Sequence, residues 1–154
     1  RSLINPDDPR FEDSGDVPEK IREYCRETGQ PVPENPGQVI RCIYESLALR
    51  YAMVWEMMLP YADEKPQTLK IVGGGCQDAL LNQFAANAIG VPVTARPVEA
   101  TGLGNILAQM LASGDIETLA EGREIVRRSV SVETFEPMET ESWADAKKSF
   151  AKLL

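Results

Sequence analysis

Histidine is absent from the 154 residues, and cysteine is scarce, at three. Without an imidazole, the Ser-His-Asp and Cys-His schemes of nucleophilic catalysis are closed to this chain. Histidine-based zinc sites go with them, and three scattered cysteines are a poor substitute, so no metal ligands are expected. An odd cysteine count makes no disulfide framework and points to a reducing cytosol. Cys25 and Cys42 meet only if their segments fold together; otherwise the three cysteines read as small buried hydrophobes. Basic charge is also short: 16 Lys and Arg against 24 Asp and Glu leave a net charge of −8. Nucleic acids and anionic membrane surfaces need basic clustering, so neither is an expected partner. No apolar run approaches the roughly 20 residues of a membrane span. The chain opens Arg1-Ser2-Leu3-Ile4-Asn5-Pro6, without an initiator Met or a signal-peptide pattern. A cytoplasmic fragment or processed chain is the expectation.

What is present suits one soluble globular domain, with 43% hydrophobic and 26% charged residues. Residues 1–16 hold Asn5-Pro6-Asp7-Asp8-Pro9 and Asp13-Ser14-Gly15-Asp16, turn-forming runs that read as a peripheral loop arm anchored by Phe11. Helical spacing runs from Pro18 to Thr28, and Gly29 stops it. A connector with Pro31, Pro33 and Pro36 leads into the longest helical candidate, Gly37 to Leu59. There Val39, Ile43, Leu47, Tyr51, Val54 and Met58 form one apolar stripe and Arg41, Glu45 and Arg50 a narrow wet side. So apolar a helix is expected to pack on a sheet and on something else, with Met53, Met57 and Met58 in the core.

Thr68 to Val72 reads as a strand, Ala79 to Ile89 as a helix with Gly90 as its C-cap, and Val91 to Ala95 as a short strand. A helix at Gly102 to Ala112, a helical piece at Glu121 to Arg128, a strand at Val130 to Phe135 and a helix at Ser142 to Leu153 complete the order. Glu133–Glu141 is a solvated acidic connector, and 136–154 reads as peripheral. The pattern argues for α/β architecture with few strands flanked by helices.

The stretch that carries chemistry is Ile71-Val72-Gly73-Gly74-Gly75-Cys76-Gln77-Asp78. Three glycines after a buried strand have little use unless the backbone bends sharply or leaves room for a ligand. Gly73 can make the bend, while Gly74 and Gly75 place no Cβ between main chain and ligand. The N–H groups of Cys76 to Asp78 are expected to point outward from a positive helix end, suited to an anion or a polar heterocycle. A plain steric turn is the alternative. The run is not a Walker loop, since no Gly-Lys-Ser/Thr follows. It also misses the dinucleotide pattern, since Asp78 stands where the last glycine belongs. Asp78 would repel phosphates yet accept from an exocyclic amino group, or it simply complements the helix dipole. Cys76 reads as a packing residue rather than a nucleophile. Glu99 could cap the next helix or hold a loop, with Gly102 and Gly104 permitting tight packing.

Residues Ile71 to Gln83, Gly90-Val91-Pro92-Val93 and Arg96-Pro97-Val98-Glu99-Ala100-Thr101-Gly102-Leu103-Gly104-Asn105 closely resemble the C-terminal ATP-binding part of the FGGY carbohydrate kinases. The likeness extends upstream to Cys25-Arg26-Glu27 and Arg41 to Leu49, and is closest to the branch acting on L-rhamnulose. It implies part of an actin-like, ribonuclease H-like ATPase domain. It also implies ATP-dependent phosphorylation of L-rhamnulose to L-rhamnulose 1-phosphate with Mg²⁺; L-fuculose, or a non-catalytic nucleotide-binding module, are the alternatives. Carried over, Gly74 contacts nucleotide and Gly73 and Gly75 shape its loop. Asp78 stands where relatives commonly have an adenine-facing Asn. The catalytic Asp, the sugar site and the phosphate-gripping Asp-x-Gly-Thr hairpins match nothing here, and Asp13-Ser14-Gly15-Asp16 is not such a hairpin. No catalytic residue is therefore assigned, and this piece alone is expected to be inactive.

Overall fold

A computed structural model describes residues 1–13 and 15–154. Ser14, in the arm's second turn-forming run, lies outside the described residues. Among the described residues, six helices and a three-stranded sheet follow in the order α1 (Val17–Glu27), α2 (Pro36–Met58), β1 (Leu69–Ile71), α3 (Ala79–Ile89), β2 (Val93–Ala95), α4 (Ala100–Ser113), α5 (Leu119–Ser129), β3 (Glu133–Phe135) and α6 (Thr140–Phe150). This is the α/β arrangement the sequence pattern predicts.

Local chemistry fixes the helix starts. Asp16 Oδ1 accepts from the Glu19 N–H, Asn35 Oδ1 from that of Gln38 and Thr118 Oγ1 from that of Glu121. Each satisfies a donor that a helix N-terminus leaves free. Gly90, at φ 78°, closes α3 in the left-handed conformation.

β1 and β2 pair in parallel, with Leu69 opposite Val93 and Ile71 opposite Ala95, joined by α3 as the crossover that parallel strands require. β3 adds on the far side of β2, antiparallel, with Phe135 opposite Val93. The order β1-β2-β3 leaves the outer edge of β1 open. A groove lies on each face beside that edge. One is lined by Tyr51, Val54, Trp55 and Met58 of α2 with Leu69 and Ile71, the other by Val126, Val130 and Val132 with Lys70 and Val72.

The helical core differs from the predicted stripe. α2 packs on α3 through Ala48, Leu49 and Ala52, with Phe84 and Ala88 opposite. Small residues at that seam turn the helix, so the C-terminal half of the predicted stripe, Tyr51, Val54 and Met58, faces outward; Met58 is 63% exposed and Met57, off the stripe, 65%. The expectation that the methionines pack in the core therefore fails for these two. Conversely Glu45, expected on the wet side, is buried. Its carboxylate is held between Arg1 Nε at 2.9 Å and Arg41 Nε at 2.8 Å, which offsets the cost of burying a charge.

The two ends of the chain, expected to be peripheral, supply core instead. Leu3 and Ile4 are buried, the Ile4 N–H donates to Ser46 Oγ at 2.9 Å, and the Gln30 amide brackets the Leu3 backbone with two 2.8 Å hydrogen bonds. Trp143 and Phe150 of α6 pack into the α2–α3 cluster, with the Trp143 ring 5.2 Å from that of Phe84. The acidic connector also does more than stay solvated, since Glu133–Phe135 is β3. Cys25 and Cys42 do meet, as free thiols in one buried cluster beneath the arm. Burial pushes the Cys42 thiol up to about 12, which keeps it protonated and unreactive at neutral pH.

Phe150→Ala should cost about 3–5 kcal/mol in denaturant unfolding, as for a large core aromatic. A change within about 0.5 kcal/mol, typical of surface sites, would return α6 to the periphery.

Candidate functional site

The glycine turn sits at the carboxyl ends of β1 and β2, where open α/β sheets present ligands. Two backbone hydrogen bonds bring the loops after both strands together. The Arg96 N–H donates to Ile71 O at 3.1 Å, and the Gly73 N–H to Pro97 O at 3.2 Å. Gly73 makes the bend at φ 78°, a conformation that side chains rarely adopt. Gly74 and Gly75 are exposed, and a Cβ on either would meet nothing within 4 Å. The main chain there is bare and approachable, as the three glycines imply.

The helix begins at Ala79, as the sequence suggests, but the N–H groups of Cys76 to Asp78 are not its free end. Gly74–Gln77 forms a 3₁₀ turn, and α3 starts at Ala79 with Asp78 as its N-cap. The Cys76 N–H donates to Gly73 O at 3.1 Å and the Asp78 N–H to Gly75 O at 3.3 Å, so neither points outward free. Cys76 is buried, consistent with a packing role.

Asp78 occupies the anion position of this helix end itself. Its Oδ1 accepts from the Leu81 N–H at 3.0 Å, and its Oδ2 accepts from the Tyr44 hydroxyl of α2. The Tyr44 bond and then the backbone N–H groups hold the carboxyl below its ordinary value, while the same bond raises the phenol. A fixed carboxylate at the positive end of α3 disfavours phosphate there. Its oxygens retain acceptor capacity for an amino group.

Two residues that sequence reasoning did not single out complete the site. Asn82 is fully buried, and its Nδ2 donates to the Cys76 carbonyl at 2.9 Å, tying the turn down onto α3. Its Oδ1 has no hydrogen-bond partner among the described residues. The signal was an amide side chain in a largely apolar helix, which also carries Gln83 and Asn87. Tyr44 is the other; a tyrosine on a greasy helix asks for a partner for its hydroxyl.

The second candidate loop is simpler. Glu99 stands at the N-cap of α4 without a side-chain hydrogen bond to it. Cβ atoms on Gly102 and Gly104 would meet nothing within 4 Å, so the expected tight contact is absent among the described residues. The close approach occurs at Gly122 of α5, where a Cβ would lie 2.9 Å from Leu107. Among the described residues, no group of three or more His, Cys, Asp or Glu could hold a metal ion. Among the described residues, no helix is long and apolar enough to cross a membrane.

Comparison with known proteins agrees with the resemblance read from the sequence. Residues 1–113 match the sequence model of the FGGY family of carbohydrate kinases, C-terminal domain. A rhamnulokinase from Bacteroides thetaiotaomicron is 49% identical over 143 residues, which is 93% of this chain. The chain spans 30% of that relative's length.

The depressed Asp78 pKa sets a sign for pH dependence. Its stabilisation is complete above the unfolded carboxylate value, near 4, and fades as pH falls through the lower folded value. Asp78→Asn keeps an N-cap oxygen but should flatten this acid limb in a series of thermal melts. Asp78→Ala should lower stability by about 1 kcal/mol at neutral pH. Identical acid limbs in wild type and Asp78→Asn would contradict the assignment.

Proposed function

Since the chain belongs to the FGGY family of carbohydrate kinases, we propose that it is the nucleotide-binding part of an ATP-dependent L-rhamnulose kinase. The reaction is transfer of the γ-phosphoryl group of ATP to L-rhamnulose, giving L-rhamnulose 1-phosphate. This chain supplies the adenosine side of the cleft. The observation that carries this reading is the bare turn at Gly73, Gly74 and Gly75, bent at the carboxyl ends of two parallel strands. The 49% identity to the Bacteroides rhamnulokinase supports the sugar.

The division of labour follows from charge. Asp78, ionised and fixed at the end of α3, favours a base and its amino group at the turn and directs the phosphates away from it. Gly74 lets the nucleotide lie against main chain, and Gly73 and Gly75 give the loop its shape. Phosphoryl transfer also needs a base for the sugar hydroxyl and donors around the γ-phosphate. In this reading the Mg²⁺ that accompanies ATP and the reacting centre belong to the remainder of the enzyme. The open edge of β1 and the grooves beside it fit a domain that further chain completes.

In the full-length enzyme, Gly74→Val should place two methyl groups where the nucleotide lies and raise the KM for ATP at least tenfold, with the KM for L-rhamnulose unchanged. Unaltered ATP kinetics would remove the turn from the site. The 154 residues alone should transfer no phosphate to L-rhamnulose in a coupled ADP assay. Appreciable turnover would show that the chemistry lies within them.

A further inference from the structure

We propose that Tyr44 is a positioning residue for the nucleotide turn, acting from α2 through Asp78; the proposal rests on the reading of Gly73–Gly75 as the nucleotide loop. Among the described residues, the Tyr44–Asp78 bond is the only side-chain hydrogen bond from α2 to the turn or to α3. The rest of that seam is built from small and apolar groups such as Ala48, Ala52 and Ala88, which fix how close the helices come, with the Arg41 guanidinium lying over the Phe84 ring. Packing fixes how the helices lie against each other, whereas only the directional hydrogen bond fixes where the Asp78 carboxylate points.

The bond lands at a junction where small slips matter. Asp78 is at once the cap of α3 and, through its N–H on Gly75 O, the last residue locked to the glycine turn. Asn82, one helical turn on, holds the Cys76 carbonyl from below. Gly74 and Gly75 have no side chains, and a Cβ on either would meet nothing within 4 Å. Their position is therefore set from outside, by Asp78 on one side and Asn82 on the other, and Tyr44 fixes Asp78 to the longest helix of the chain. Tyr44 itself touches no nucleotide in this account. It pre-organises the loop, so that the ordering cost is met before ATP arrives.

The test is Tyr44→Phe in the full-length enzyme, which removes one oxygen and keeps the ring. The KM for ATP should rise about three- to tenfold, the worth of one hydrogen bond. The kcat and the KM for L-rhamnulose should stay within twofold. Losing the hydroxyl also lets Asp78 protonate at higher pH, so the acid limb of kcat/KM for ATP should move upward. In an Asp78→Ala background, Tyr44→Phe should add nothing further. Backbone amide exchange across residues 74–78 should quicken in Tyr44→Phe even if activity is lost altogether. An unchanged KM for ATP with unchanged exchange, an equal loss on both substrates, or additive effects in the double variant would each overturn the proposal. Gly74→Val separates the two levels. If it leaves ATP kinetics intact, the nucleotide reading itself fails. If it raises the KM while Tyr44→Phe does not, only the role of Tyr44 fails.

Discussion

The arrangement depends on how closely α3 is held between α2 and the sheet. Ala85, Ala86 and Ala88 give that helix almost no girth, with Ala48 and Ala52 facing it from α2 and Val93 from β2. Small residues at a helix seam bring backbones near one another and leave little room for rotation or slip. With α3 pinned, the turn that precedes it is pinned too, because Asp78 belongs to both. The bend at Gly73, the cap at Asp78 and the carbonyl held by Asn82 then act as one unit at the carboxyl ends of β1 and β2.

That unit solves an electrostatic problem in an unusual direction. A helix N-terminus beside a glycine turn commonly offers its free N–H groups to phosphate. Here the Asp78 carboxylate takes them, and the Tyr44 hydroxyl keeps that carboxylate charged. The local field therefore suits the neutral, donor-bearing end of a nucleotide. In the proposed kinase, this leaves the triphosphate and metal to the remainder of the enzyme, consistent with a chain spanning 30% of its rhamnulokinase relative.

Much of the fold was legible because local rules and tertiary packing agree. Ala79–Ile89 has an acid before it and a glycine after it, and the structure keeps those bounds. The glycine turn was legible for the same reason, since three consecutive glycines have few other physical uses. What the sequence concealed was set by partners distant in the chain. The buried side of α2 follows from small residues on α3, so Glu45 went inside, where Arg1 and Arg41 neutralise it, and Met57 and Met58 stayed outside. The buried ends, Leu3 and Phe150, depend likewise on surfaces more than forty residues away. Tyr44 and Asp78, 34 residues apart, reveal their pairing only in three dimensions.

The central claim is that nucleotide meets main chain at this turn. Hydrogen–deuterium exchange of the full-length enzyme, with and without a non-hydrolysable ATP analogue, reads that contact on the native sequence. The account predicts slowed exchange in peptides covering Gly73 to Gln77, with little change across α1 and α6. Protection elsewhere, with this turn exchanging as fast as in the free enzyme, would contradict it.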